Sequence, residues 1–95
     1  MNVMEEWFVY LVRCANDSLY CGIAKDPDKR FKMHLSGKGA RYTRINPAVS
    51  LVYREGPYTH GDALRRERLI KTLPRQRKDQ MLIDFASSNS QHPLA

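Results

Sequence analysis

Near the start of the chain the run Trp7–Cys14 is dense in aromatic and β-branched residues, and only Ala15-Asn16-Asp17-Ser18 separates it from a second short run, Leu19–Ala24, that carries Tyr20 and Ile23. Such runs favour extended backbone. Asn and Asp tolerate left-handed conformations and hydrogen-bond to nearby backbone, so the connecting stretch is turn chemistry. Together they specify an antiparallel hairpin. Side chains alternate faces along a strand, which makes the loop length decisive for Tyr10 and Tyr20. A three- or five-residue loop centred on Asn16 sets Tyr10 opposite Gly22, with Tyr20 as its diagonal neighbour on the same face. A two- or four-residue loop sends the two rings to opposite faces. The sequence leaves both open.

Beyond the hairpin, Asp26-Pro27 is a helix start, with Asp as N-cap and Pro at the first helical position. Phe31 and Leu35, spaced i and i+4, form its expected buried edge, with Arg30 and His34 on the adjacent strip. Gly37 is a natural stop. Residues Lys38–Arg44 make a basic, flexible connection with room for one helical turn. Val49–Glu55 alternates as a third strand, which Gly56-Pro57 should end. Thr59 caps the next helix with Asp62 three residues on, and that helix should reach Thr72. Pro74 breaks that helix or opens a last one to about Phe85. From Ser87 onward, Ser, Asn, Gln, His and Pro read as a frayed tail. The expectation is one domain over residues 1–86 with a flexible tail over 87–95. Its class is α+β, a small sheet flanked by helices.

The 95 residues carry a net charge of +6. That surplus favours a polyanionic partner, nucleic acid first and acidic membrane second. No apolar run has membrane-spanning length, and the N-terminus lacks a basic stretch followed by an apolar one, so a soluble, cytoplasmic protein is expected. Cys14 and Cys21 form neither a disulfide framework nor a zinc-ligand spacing and are read as free thiols.

Glu67 is out of place. Ala63, Glu67, Ile70 and Leu73 or Pro74 follow the spacing by which a helix presents one face to a core. A carboxylate there needs a cation, hydrogen bonds or an open cleft. The bland alternative is a narrower stripe, with Glu67 solvated and paired to Arg68 or to Lys71 at i+4. The other polar and aromatic candidates have bland readings too. Tyr10 and Tyr20 could be strand packing, Arg30 a solvated helix residue and His34 a partly exposed imidazole. Lys38, Arg41 and Arg44 read either as a solvated loop or as phosphate contacts.

Taken together, these residues resemble the GIY-YIG nuclease superfamily, especially its small stand-alone, single-domain bacterial members. Phe8-Val9-Tyr10 and Tyr20-Cys21-Gly22 stand where the two name-giving motifs would, on the first two strands. Arg30 matches the family's arginine on the following helix, and His34 the histidine or tyrosine one turn later. Ala63-Leu64-x-x-Glu67-x-x-Ile70-Lys71 matches the helix carrying the metal-binding glutamate. The resemblance implies a three-stranded antiparallel sheet flanked by helices. It also implies hydrolysis of DNA phosphodiester bonds with low sequence specificity, in repair or recombination, dependent on Mg²⁺ or Mn²⁺ at Glu67. Tyr10 or Tyr20 would take a proton from the attacking water, Arg30 would neutralise phosphate charge, and His34 would relay a proton or bind phosphate. Position 23 is Ile where some relatives carry a lysine, so that phosphate contact would be missing or moved to Lys25, and Lys25, Arg30 and the metal would all favour a phenolate. Phe8 and Cys21 depart mildly from the motifs, and the family's downstream asparagine has no counterpart, Asp79 and Gln80 being nearest. A non-catalytic nucleic-acid-binding module, or a subunit whose specificity comes from a separate partner protein, are the competing functions.

Overall fold

The computed structural model describes residues 6–90. Three strands, β1 (Trp7–Cys14), β2 (Leu19–Ala24) and β3 (Ala48–Tyr58), form one sheet in the order β2-β1-β3. Helix α1 (Pro27–Leu35) and the short α2 (Arg41–Ile45) lie between β2 and β3 in the chain; α3 (His60–Thr72) and α4 (Arg75–Ser90) follow. Both neighbours of β1 run antiparallel to it. The α+β class and the three-stranded sheet are as the sequence indicates.

The hairpin register runs unbroken from Phe8↔Ala24 to Arg13↔Leu19 and sets Tyr10 opposite Gly22. Its turn is centred on Asn16, whose Oδ1 accepts from the Ser18 backbone N–H at 3.1 Å. Asp17 takes the left-handed conformation at φ 68°. Both tyrosines therefore share a face.

That sheet has two covered sides. Val9, Leu11 and Cys21 face α3 and α4, against Ala63, Ile70 and Leu82. Tyr10, Val12, Cys14 and Ala24 face the other way, with Phe31 of α1 packed on them. Covered on both faces, β1 reads as a nearly continuous apolar run. Cys14 and Cys21 are buried free thiols, and burial pushes Cys21 up to about 12.

The helix caps form as the sequence indicates. Asp26 Oδ1 accepts from Lys29 N–H at 3.1 Å, Thr59 Oγ1 from Asp62 N–H at 3.2 Å, and Gly37 ends α1 at φ 82°.

Three expectations need correcting. Leu35 is 54% exposed, and the residues α1 buries are Pro27 and His34. The sheet thus receives a polar ring whose nitrogens both find partners. β3 does not stop at Gly56-Pro57 but continues to Tyr58. As an edge strand it tolerates a missing donor, and Gly56 sits at φ 139° where a Cβ would lie 2.8 Å from the Trp7 carbonyl oxygen. Helix α4 runs through Ser90, past the expected end at Phe85; tail residues 91–95 lie outside the described residues. Among the described residues no helix is long and apolar enough to cross a membrane.

Candidate active site

Tyr10 sits at the centre of the sheet because β1 is the middle strand, and it is only 1% exposed. Its ring crosses over Gly22 of β2. A Cβ there would come within 2.6 Å of the Tyr10 hydroxyl oxygen and 3.1 Å of Tyr20 Cε2, so only glycine lets the phenol lie against that backbone. The two tyrosine rings stand 6.4 Å apart, and each also neighbours the His34 ring, at 5.9 Å from Tyr10 and 5.3 Å from Tyr20.

His34, buried at the end of α1, links this cluster to α2. Its Nε2 lies 2.9 Å from the Tyr10 hydroxyl and its Nδ1 2.6 Å from Thr43 Oγ1. Thr43 directs its single hydroxyl proton to the Ala40 carbonyl oxygen at 3.0 Å. Oγ1 must then accept from His34 Nδ1–H, which leaves Nε2 as a lone pair accepting from the Tyr10 O–H. The result is a one-way chain: Tyr10 to His34 to Thr43 to Ala40. Gly39 lets the connection wrap this ring, since a Cβ there would fall 2.8 Å from His34 Cγ.

Electrostatics reinforce the chain's polarity. Burial pushes the Tyr10 phenol up to about 12; neighbouring Tyr20 adds to the shift, and the Arg30 guanidinium pulls against it. Burial, with Arg30 nearby, holds His34 below its usual value, so the ring is neutral at pH 7. Arg30 has no carboxylate partner among the described residues.

Tyr20 is half-buried on the edge strand. Burial raises its pKa, Lys71 opposes this and Glu67 adds to it. Both of those charges come from α3, on the other side of the sheet, reaching Tyr20 around the β2 edge. Glu67 is 18% exposed and pairs with Lys71 Nζ at 3.2 Å. The apolar stripe of α3 is therefore narrower than its spacing suggested: Ala63 and Ile70 are fully buried, and Glu67 flanks them. Both readings of Glu67 hold in part, a half-buried carboxylate with a lysine across it. Among the described residues, no group of three or more His, Cys, Asp or Glu converges on a metal-sized space. A single carboxylate at a cleft edge fits Mg²⁺ or Mn²⁺, hard cations that keep waters and take phosphate oxygens. It does not fit zinc, which wants several protein ligands.

A family model described as the GIY-YIG catalytic domain matches residues 6–80. The chain belongs to the GIY-YIG nuclease family. GIY-YIG enzymes in general depend on divalent metal and act on DNA. A UPF0213 protein of Pseudomonas aeruginosa is 54% identical over 77 residues, covering 81% of this chain and 74% of that one. A UPF0213 protein of Staphylococcus epidermidis is 49% identical over 79 residues, covering 83% and 96%. The solution structure of a UPF0213 protein from Bacillus halodurans superposes with a TM-score of 0.55 at 34% identity, covering 95% of this chain and 97% of that one. An E. faecalis protein structure gives 0.56 at 28% identity, covering 100% and 98%.

Against the GIY-YIG pattern, the structure brings Tyr10, Tyr20, Arg30 and His34 into one cluster, with Glu67 approaching Tyr20 rather than Tyr10. Lys25 is turned elsewhere, its Nζ 5.5 Å from the Trp7 ring centre, and the cations acting on the two phenols are Arg30 and Lys71. Lys38, Arg41 and Arg44 are exposed on and beside α2, without carboxylate partners among the described residues. Asp79 pairs with Arg75 at 2.8 Å and Gln80 bonds Asp84 at 2.9 Å, so neither stands in for the family's asparagine. Sequence reasoning missed Thr43 and Tyr42. Thr43 lay in a run read as loop; its one signal was a β-branched residue on the inner side of a single helical turn.

Proposed function

We propose that the chain is a divalent-metal-dependent endonuclease hydrolysing DNA phosphodiester bonds with low sequence specificity, in which Tyr10 and His34 carry the proton. The observation that carries this reading is the buried, one-way chain from Tyr10 through His34 to Thr43. With a pKa near 12, Tyr10 is phenolate in only about one molecule in 10⁵ at pH 7. A free phenolate base is thus disfavoured, and the proton needs an acceptor behind the ring. His34, neutral with an open Nε2, is that acceptor. As water attacks phosphorus, its proton passes to the Tyr10 oxygen while the Tyr10 proton passes to Nε2. The new P–O bond forms, the bond to the leaving 3′ oxygen breaks, and that oxygen takes a proton from solvent. The imidazolium that results still donates Nδ1–H to Thr43. Arg30, free of carboxylates among the described residues, offsets charge building on the phosphate oxygens. Tyr20 forms the outer wall and orients water or phosphate. Glu67 would hold Mg²⁺ or Mn²⁺, which when bound stabilises the charge on the leaving oxygen. Lys71, which pairs with Glu67 at 3.2 Å, would have to yield that carboxylate to the ion. Exposed Lys38, Arg41 and Arg44 would track the DNA backbone.

The test is incubation of plasmid, single-stranded and branched DNA with Mg²⁺ or Mn²⁺, beside Tyr10→Phe and Glu67→Gln. Cleavage by the wild type and its loss in both variants is expected. Cutting that survives both substitutions, or binding without cutting under every metal, refutes it; the second outcome marks a binding module.

A further inference from the structure

On the edge-strand side of the cluster, a groove of about 280 Å³ is lined by Leu19, Tyr20, Cys21, Tyr42, Lys71 and Lys78. Its size is just under the roughly 300 Å³ at which small-molecule clefts begin, so it takes one planar group rather than several. Tyr42 is the unusual part. It lies on the outer side of α2, 39% exposed, with its ring nearly parallel to Tyr20 at 19° and 6.0 Å. A solvent-facing tyrosine normally swings freely, but this one is pinned. Its hydroxyl donates to Ser18 Oγ at 2.6 Å, Ser18 Oγ donates to Asn16 Oδ1 at 2.6 Å, and Asn16 Nδ2 donates to Asn46 Oδ1 at 2.9 Å. The hairpin turn and the C-terminal cap of α2 thus hold an exposed aromatic face in place. Across from it stand two ammonium groups. Lys71 shares Glu67, and Lys78 has no carboxylate partner among the described residues.

We propose that this groove seats one unpaired nucleobase of the bound strand against the Tyr20–Tyr42 pair, with the adjoining phosphate on Lys78 and Lys71. Rigid aromatic rings beside lysines are how base-tolerant single-strand binders work, since every base has a π-face to stack. Leu19 and the thiol of Cys21 give the base an apolar floor, and the ammonium groups match only an anion. A duplex keeps its bases paired inside and cannot offer one to the groove. The substrate is therefore unpaired beside the cut, as in a single strand, a flap or an extruded base.

The inference rests on the nuclease reading, because the groove shares Tyr20 with that site, but its test does not need cleavage. Labelled oligodeoxythymidylate, an abasic strand of the same length and a blunt duplex are titrated by fluorescence anisotropy in chelator, with wild type, Tyr42→Ala and Lys78→Ala. The wild type should bind oligodeoxythymidylate more tightly than the abasic strand. Tyr42→Ala should weaken the oligodeoxythymidylate complex by about 5- to 150-fold and leave the other two unchanged. Lys78→Ala should weaken both single strands alike and flatten their salt dependence. Equal wild-type binding of based and abasic strands overturns the proposal whether or not Tyr42→Ala folds. So does a Tyr42→Ala loss shared by the duplex. A Tyr42-dependent base preference without cleavage under any divalent metal leaves the groove standing and removes the nuclease; cleavage without that preference does the reverse.

Discussion

Replacing Thr43 with valine keeps the size and branching of a buried residue and deletes one oxygen. Two hydrogen bonds go with it, and they are not equal. The Ala40 carbonyl keeps donors in the backbone N–H groups of Thr43 and Arg44, both at 3.1 Å. His34 Nδ1–H has no such reserve, and His34 is only 2% exposed. Leaving a buried donor unpaired costs about 1–3 kcal/mol. The ring's cheapest escape is the other tautomer, with its proton on Nε2 facing Tyr10. That proton then donates to the phenol, which Arg30 also approaches, and the Tyr10 proton loses its acceptor. Thr43→Val should therefore lower unfolding free energy in urea by about 1–3 kcal/mol. It should move the His34 imidazole ¹⁵N signals to the Nε2–H pattern, and it should cost cleavage much of the roughly 10²–10⁴-fold that a positioned proton carrier supplies. Thr43→Ser keeps the oxygen and loses one methyl, so it should cost about 0.8 kcal/mol and leave the tautomer as it is. A valine variant whose His34 stays protonated on Nδ1, with stability equal to that of the serine variant, refutes the one-way chain.

Gly22→Ala places its Cβ 2.6 Å from the Tyr10 hydroxyl oxygen, so the ring must leave His34; overpacking of this kind costs about 1–3 kcal/mol by urea titration, and cleavage should fall with it. The pH dependence follows from His34: its folded pKa is below the ordinary 6.5, so its share of stability is complete above that value and is lost as pH falls below it. Urea midpoints from pH 7.5 down to 5.5, two values chosen to bracket that window, should decline in the wild type and flatten in His34→Gln; parallel curves would contradict the burial argument. Glu67→Gln removes an ion pair whose lysine is more than half exposed, worth at most about 1 kcal/mol. Its melting temperature should stay close to wild type while metal-dependent cutting disappears, and a large stability loss would mean that Glu67 is structural.

Sequence reasoning succeeds where local chemistry decides. Asn16 and Asp17 mark the turn, although its length, and so the face of each tyrosine, stays open until the observed register puts Tyr10, Gly22 and Tyr20 together. Asp26, Pro27, Gly37 and Thr59 fix helix ends because caps act within one turn. It fails at α1, where apolar spacing nominates Leu35 and the structure buries His34. Periodicity counts hydrophobicity, whereas burial of a polar ring is decided by partners far along the chain, here Tyr10 at one nitrogen and Thr43 at the other. Thr43 could not be nominated without knowing His34 was inside. The Gly56-Pro57 stop fails for a related reason: its force depends on whether β3 is an edge strand, which only the strand order reveals.

Glu67 is placed by a second, quieter constraint on the same helix. Successive residues turn by about 100° around α3, so Ala63 and Ile70 point into the sheet while Arg66 and Glu67 flank them on opposite sides. Arg66 is anchored on the β3 side. Its guanidinium binds Glu55, with Nη2 to Oε1 at 3.1 Å, and Tyr53 and Tyr58 donate to the same carboxylate at 2.5 and 2.8 Å. Burial works against that carboxylate's charge, but the three donors together hold it below its usual range. Glu55 is thus fully partnered and offers no coordination of its own. With Arg66 tied to the β3 edge, the helix cannot roll, and the one carboxylate it can present to the β2 edge is Glu67. The family motif names the glutamate, but the arginine beside it and the half-buried carboxylate on β3 determine which edge of the sheet it reaches.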